Sequence, residues 1–296
     1  MVVKRYFNLL LTPVIRRLPQ SFISEHQNKF VLFFKQLYVL PTDVPETTSL
    51  LVDCFSAFIL KLNEEVLRPI IATLAKWSHK AQSRKLVFYS LLEGCLETLK
   101  EFFVPLSKIY LDLCVDSLVT QKTAFDKDSK KRTHGQDEAS VELLVKACKV
   151  IELNYKYDAQ KFLQPHTFEL IVEPVASLFE LSQIPDYLPV FVRQTLQPLV
   201  FEMDDRTEDD SMWQRLNYAM LLKTRSDKWE VRLAVLQVID HLFEKMRERF
   251  LVVLNDTIPF ISELLEDENE RVEMCAKQIV NRIEHLTGES INEYLK

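Results

Sequence analysis

The sequence matches itself at an offset of 41 residues. With Val231 laid over Val272, Ser226 falls on Asp267, Arg232 on Glu273, Val235 on Ala276 and Ile239 on Val280. A period of roughly 40 residues accommodates two helices and their turns. One such unit cannot bury its apolar face alone, so it must stack on its neighbours. The repeat therefore predicts stacked helix pairs around a continuous core.

Glycine usage points the same way. The chain has 296 residues and three glycines, Gly94, Gly135 and Gly288, against about 7% in an average chain. Tight β-turns and phosphate-cradling loops consume glycine, so strands, Rossmann sites and P-loops are all disfavoured. Helical spacing is plain in SLLVDCFSAFILKLNEEV, where Leu51, Cys54, Phe55, Phe58, Ile59, Leu62 and Val66 share one face. It recurs at Val231, Ala234, Val235, Val238 and Leu242. The pattern predicts an all-α chain of about fourteen helices. Pro13, Pro69, Pro105, Pro189, Pro198 and Pro259 read as helix-start residues, where a missing N–H costs little.

Within the last repeat each residue type has a job. Asp256 or Thr257 is expected to cap a first helix with Pro259 in its opening turn. Asp267 or Asn269 then accepts from the free N–H groups of a second helix. Val272, Cys275, Ala276 and Ile279 form its buried stripe. The pattern resembles the HEAT consensus, in which an Asp precedes a Val-Arg pair by five residues. Val231-Arg232 keeps the Arg, whereas Glu273 replaces it in the last repeat, which puts the usual Asp–Arg ladder in question there. The fold expected is a HEAT-repeat-like α-solenoid.

Two polar stretches interrupt the rhythm. FDKDSKKRTHGQDEA at 125–139 is expected to be a flexible loop between helical repeats at 1–124 and 140–296. Its Lys130-Lys131-Arg132 has the composition of a nuclear import signal but also of an ordinary solvated loop. EMDDRTEDDS at 202–211 is a shorter acidic loop. Charge is divided unevenly. Residues 1–132 hold 19 Lys/Arg against 13 Asp/Glu, and residues 133–296 hold 18 against 30. Such a chain can meet partners of both signs.

Motifs for chemistry are missing. The acids in LLEDENERVEMCAKQIV invite a calcium loop starting at Asp267, but its fifth and sixth positions are Arg271 and Val272, where a ligand and a glycine belong. The six histidines make no HExxH, and no Cys/His cluster has zinc spacing. The five cysteines form no CxxC pair and read as reduced, buried hydrophobes. No catalytic residue, metal or cofactor is expected, and no small-molecule substrate. No apolar run approaches the ~20 residues that span a bilayer, so no membrane partner is expected. The best binding candidate is a basic cluster, Lys76, Lys80, Arg84 and Lys85, with Trp77 and His79 beside it. Cations next to an aromatic suit RNA phosphates and bases. For Trp77 the favoured reading is inward packing, which leaves only the cations at the surface.

Two stretches carry a more specific resemblance: KLNEEVLRPIIATLAKW at 61–77, and the run from Leu216 to Leu295 that includes LNYAMLLKTRSDKWEVRLAVL, FLVVLNDTIPFISELLEDENERVE and LTGESINEYL. Together they resemble the C-terminal region of the large HEAT-repeat protein of the small-subunit processome, the U three small-nucleolar-RNA-associated protein ten family. The resemblance implies a non-enzymatic nucleolar scaffold supporting pre-rRNA transcription and processing toward eighteen-S rRNA. It implies processome proteins as partners, and pre-rRNA and U three small nucleolar RNA bound directly or through them. Without that signature, the repeat alone also fits a general HEAT adaptor such as a transport receptor or phosphatase scaffold.

Overall fold

The structure, a computed structural model, describes the backbone of residues 2–39, 45–128, 134–163, 165–181, 188–205 and 210–290, and side chains at 10–34, 36, 48–126, 138–163, 165–181, 188–203, 205 and 211–290. Helices run α1 (Val2–Arg17), α2 (Gln20–Glu25), α3 (Gln27–Val39), α4 (Pro45–Ile59), α5 (Glu64–Ser78), α6 (Gln82–Leu99), α7 (Leu111–Asp128) and α8 (His134–Tyr157). They continue with α9 (Pro165–Ser177), α10 (Leu188–Phe191), α11 (Gln197–Asp205), α12 (Asp210–Leu221), α13 (Trp229–Met246), α14 (Leu254–Glu263) and α15 (Glu270–Thr287). A π-helical turn at Val192–Leu196 joins α10 to α11 as one rod, giving 14 helices and no strand among the described residues. The all-α expectation and its helix count are met.

The chain forms two compact units, 1–114 with 138–162, and 115–137 with 163–296. The expected division into 1–124 and 140–296 differs from this. The expected loop at 125–139 also narrows: residues 125–128 close α7 and residues 134–139 open α8. Charged and polar residues sustain helix ends as readily as loops, so polarity alone could not separate the two. Lys130, Lys131 and Arg132 lie outside the described residues. The acidic stretch at 202–211 is similarly reduced, since Glu202 to Asp205 belong to α11 and Asp210 begins α12.

In the first unit the apolar stripe from Leu51 to Val66 belongs to two helices. α4 buries Leu51, Cys54, Phe55, Phe58 and Ile59, then the chain turns with Leu60 exposed. Asn63 caps α5, its Oδ1 accepting the Val66 N–H at 3.1 Å. A 3.6-residue period cannot reveal a turn that happens to preserve phase; the Asn cap is the signal that does. Behind α4, Phe34 meets Phe55 edge-on at 5.2 Å and Phe58 at 5.4 Å. α6 crosses α4 at Gly94, where a Cβ would stand 2.3 Å from Val52 Cγ1, so any larger residue would force the Val52 side chain aside. Two buried tyrosines complete the core. Tyr89 donates to the Leu113 carbonyl at 2.7 Å, and Tyr110 donates to Asn154 Oδ1 at 2.9 Å.

The second unit stacks in two rows. First helices α9, α12 and α14 neighbour one another, as do second helices α11, α13 and α15. This is the arrangement that the 41-residue period requires. α15 buries Val272, Ala276, Ile279 and Ile283, with Cys275 half-buried. Asn269 caps it, its Oδ1 accepting the Arg271 N–H at 3.1 Å. Gly288 ends it in the left-handed region at φ 73°, donating to the Glu284 carbonyl. The Asp–Arg contact also forms across repeats. Arg232 reaches Asp267 through both Nε (2.7 Å) and Nη2 (2.8 Å), while its Nη1 donates to the Ser226 carbonyl at 2.9 Å. Glu273, which replaces the next arginine, pairs with Lys277 on its own helix.

One helix-start expectation fails and another holds only in part. Neither Asp256 nor Thr257 caps α14. A 3₁₀ segment, Arg247–Val253, leads into it, and Thr257 donates to the Val253 carbonyl at 2.8 Å from a buried position. Pro105, Pro189 and Pro198 each stand second in their helical segments as expected, but Pro13, Pro69 and Pro259 lie inside helices, whereas Pro45 and Pro165 open them. An interior proline removes one intrahelical bond and bends the helix. Tertiary packing tolerates that here, which local propensity does not show.

Candidate nucleic-acid interface

The turn between α5 and α6 gathers the basic cluster. α5 starts with Glu64 and Glu65 and buries Leu67, Ile70, Ile71, Leu74 and Ala75. Its apolar face fixes the opposite face outward, which leaves Lys76 exposed in the last turn. Ser78 is buried and donates to the Ala75 carbonyl at 2.7 Å, closing the helix. His79 and Lys80 follow, both exposed.

α6 begins without the usual anionic complement. Ala81 occupies the N-cap and gives no side-chain hydrogen bond, and the first turn contains no acid. Arg84 and Lys85 stand there instead, half-buried, and their N–H groups both donate to the Ala81 carbonyl at 3.1 Å. Cations at a helix N-terminus add to its partial positive charge, and together they attract an anion. Lys76 at the end of α5, Lys80 in the turn, and Arg84 and Lys85 at the start of α6 thus lie along one helix-to-helix connection.

Trp77 does not complete an open stacking platform. It is half-buried, and the Arg84 guanidinium lies over its ring at 5.3 Å. That cation–π contact occupies one face and steadies Arg84. The arrangement favours phosphate contacts over base stacking. Burial disfavours the thiolate form at all five cysteines. Burial pushes the Cys54 thiol up to about 11 and Cys275 up to about 12, and raises Cys95, Cys114 and Cys148 well above the ordinary range. Among the described residues, no cluster of His, Cys, Asp and Glu is arranged to hold a metal ion. No described helix is long and apolar enough to cross a membrane.

Residues 25–163 match the BP28CT (NUC211) domain, a span that includes the basic turn. The chain is 27% identical over 285 residues to the Homo sapiens HEAT repeat-containing protein 1, covering 92% of this chain and 13% of that protein. It is 34% identical over 164 residues to a Dictyostelium discoideum HEAT repeat-containing protein 1 homolog, covering 54% of this chain and 7% of that protein. It is 25% identical over 287 residues to the Lodderomyces elongisporus U3 small nucleolar RNA-associated protein 10, covering 92% of this chain and 15% of that protein. The chain therefore spans about one seventh of the length of these two long-range matches. The similarity runs well beyond the domain match and takes in the repeats of the second unit. The chain thus carries a BP28CT (NUC211) domain and is similar, at modest identity over most of its length, to HEAT repeat-containing protein 1 and U3 small nucleolar RNA-associated protein 10, the resemblance that its residues at 61–77 and 216–295 indicated.

Proposed function

We propose that this chain is a non-enzymatic scaffold segment acting in nucleolar ribosome biogenesis, within the small-subunit processome. The observation that carries the reading is similarity over 92% of the chain to a relative named for its association with U3 small nucleolar RNA. Stacked helix pairs suit the role, because they present long surfaces without needing a pocket. The scaffold holds processome proteins in register with pre-rRNA and the small nucleolar RNA while eighteen-S rRNA is processed. Depletion followed by rRNA profiling tests it. Eighteen-S rRNA is expected to fall while large-subunit rRNA stays near normal. Unchanged processing, with co-purification of import cargo or a phosphatase, would instead establish the general-adaptor reading.

The basic turn is the proposed RNA contact. Lys76, Lys80, Arg84 and Lys85 neutralise phosphates there, so binding weakens with salt. Reversing all four to Glu is expected to reduce the log–log salt slope for single-stranded RNA by about 3. An unchanged slope would reduce these residues to ordinary surface cations.

A further inference from the structure

The second helices of the second unit carry a groove whose lining repeats with the fold. It has a volume of about 570 Å³ and runs across residues 189–197, α13 and α15. Two rows of side chains cross it at the repeat spacing. One is Arg193, Leu233 and Met274; the other is Gln197, Gln237 and Gln278. Each residue stands 40 or 41 positions from its counterpart. The groove is thus a product of the repeat and not an accident of one loop.

Its floor is apolar and uncovered. Met274 is 70% exposed and Val190 44% exposed, beside the nearly buried Leu233. Its charges are unbalanced. Asp240 is fully engaged, accepting from Arg282 Nε at 2.7 Å and from Gln278 Nε2 at 3.1 Å. Arg193 is exposed with no acidic partner among the described residues. Arg271 lies over the Trp229 ring at 5.3 Å and likewise has no acidic partner among them. The uncommitted charge is positive, although residues 133–296 carry an excess of acids.

We propose that this groove docks an extended segment of another protein in which acidic residues flank an apolar one. The apolar side chain covers Met274 and Val190. The carboxylates meet Arg193 and Arg271, whose forked donors suit them. Gln197 and Gln278 each spend one amide N–H within the groove, on the Gln237 carbonyl and on Asp240, and keep the second N–H and the Oε1 for a peptide main chain. Packed helices lie about 10 Å apart, which is about three residues of extended chain at ~3.3 Å each. Successive glutamines therefore meet every third peptide unit, and the groove holds roughly six to eight residues. RNA fits less well, because the floor is apolar and the surrounding surface is acidic.

The test uses the full chain against a random dodecapeptide display library, followed by titration of the enriched sequences as fluorescent peptides. Enriched peptides are expected to combine Asp or Glu with an apolar residue. Each should bind at least tenfold more weakly to Met274→Asp and to Arg271→Glu. Both sites are exposed, so circular dichroism should show unchanged helix and melting. Gln237→Ala gives a milder loss and serves if either charge change perturbs the fold. No enrichment, a basic consensus, or equal binding by the variants overturns the proposal. So does displacement of the peptide by a uridine octamer at comparable affinity, which would make the groove an RNA site. The groove is separate from the turn at 76–85, so its failure leaves the ribosome-biogenesis reading standing.

Discussion

The two units contain the same corner and join their helices by different chemistry. α6 and α13 are both 18 residues long. Each ends at a basic residue in an unusual conformation, Lys100 at φ 50°, ψ −126° and Arg247 at φ 51°, ψ −125°. Each of these residues donates its N–H to the carbonyl four residues back. Three positions later a fully buried phenylalanine anchors the turn, Phe103 in one unit and Phe250 in the other. Phe103 stacks with Tyr110 at 5.8 Å, and Phe250 meets Phe243 edge-on at 4.8 Å. What differs lies around the corner. The first unit is held mainly by aromatic clusters, buried tyrosines and the close crossing at Gly94, beside the Lys146–Glu93 ion pair between α8 and α6. The second carries ion pairs linking successive repeats: Arg232–Asp267, Arg282–Asp240, Arg225–Glu263 and Arg249–Asp205. The backbone device is shared, and the means of stacking on a neighbour is free to vary.

The anchor phenylalanines should give the largest effects. Phe103→Ala or Phe250→Ala removes a fully buried ring, at about 3–5 kcal/mol. Hydrogen exchange should show each loss confined to its own unit. Equal loosening of both units by either variant would break the two-unit picture.

The ionic join should be next, at about 3 kcal/mol for Asp267→Ala, since the removal strands a nearly buried guanidinium. It also carries a pH signature. Burial raises the Asp267 carboxyl, but the Arg232 hydrogen bonds, the Asn269 N–H and the Arg232 charge outweigh it and hold the group below the ordinary carboxylate value. A depressed folded-state pKa stabilises above the unfolded value of about 3.9 and stops doing so as pH falls through the lower folded value. Exchange protection of the second unit should therefore drop below about pH 4. Asp267→Asn should be weaker at neutral pH and flatter through that window. The first unit, which relies on aromatic and tyrosine contacts, should respond less.

The contrast between units also explains what the sequence could reveal. The period of 41 and the Val272, Ala276, Ile279 stripe were legible because repeats impose them twice. Asn269 was legible as one of two possible caps. The break between α4 and α5 was hidden because Leu62 and Val66 keep the phase of Leu51 and Phe55. The ends of α7 and α8 were hidden because Lys and Asp suit both loops and helix termini. The Arg232–Asp267 bond spans 35 residues, and no local pattern contains both ends. At the candidate site the four cations were legible as a cluster. Arg84 covering Trp77 was not, since that depends on how tightly the turn at Ala81 folds back.

The strained corner residues offer a smaller, opposite effect. The backbone at Lys100 and Arg247 suits glycine far better than a branched-off side chain. Lys100→Gly and Arg247→Gly are each expected to stabilise by about 1 kcal/mol, seen as raised thermal midpoints. Destabilisation would show that the side chains themselves are needed.

The smallest effect separates the corners at their one chemically unlike position, one residue before the anchor. Arg249 donates to Asp205 at 2.7 Å and lies over the Trp213 ring at 5.4 Å, so it ties the corner to its neighbours. Phe102 stands in the same place in the first unit and is 75% exposed. Arg249→Ala should lose up to about 1 kcal/mol, as expected for a partly exposed pair, and the loss should shrink in high salt. Phe102→Ala should change stability by less than about 0.5 kcal/mol. If Phe102→Ala proves the more harmful in thermal melts, the first unit's corner is held by that ring, and the equivalence of the two corners ends at the backbone.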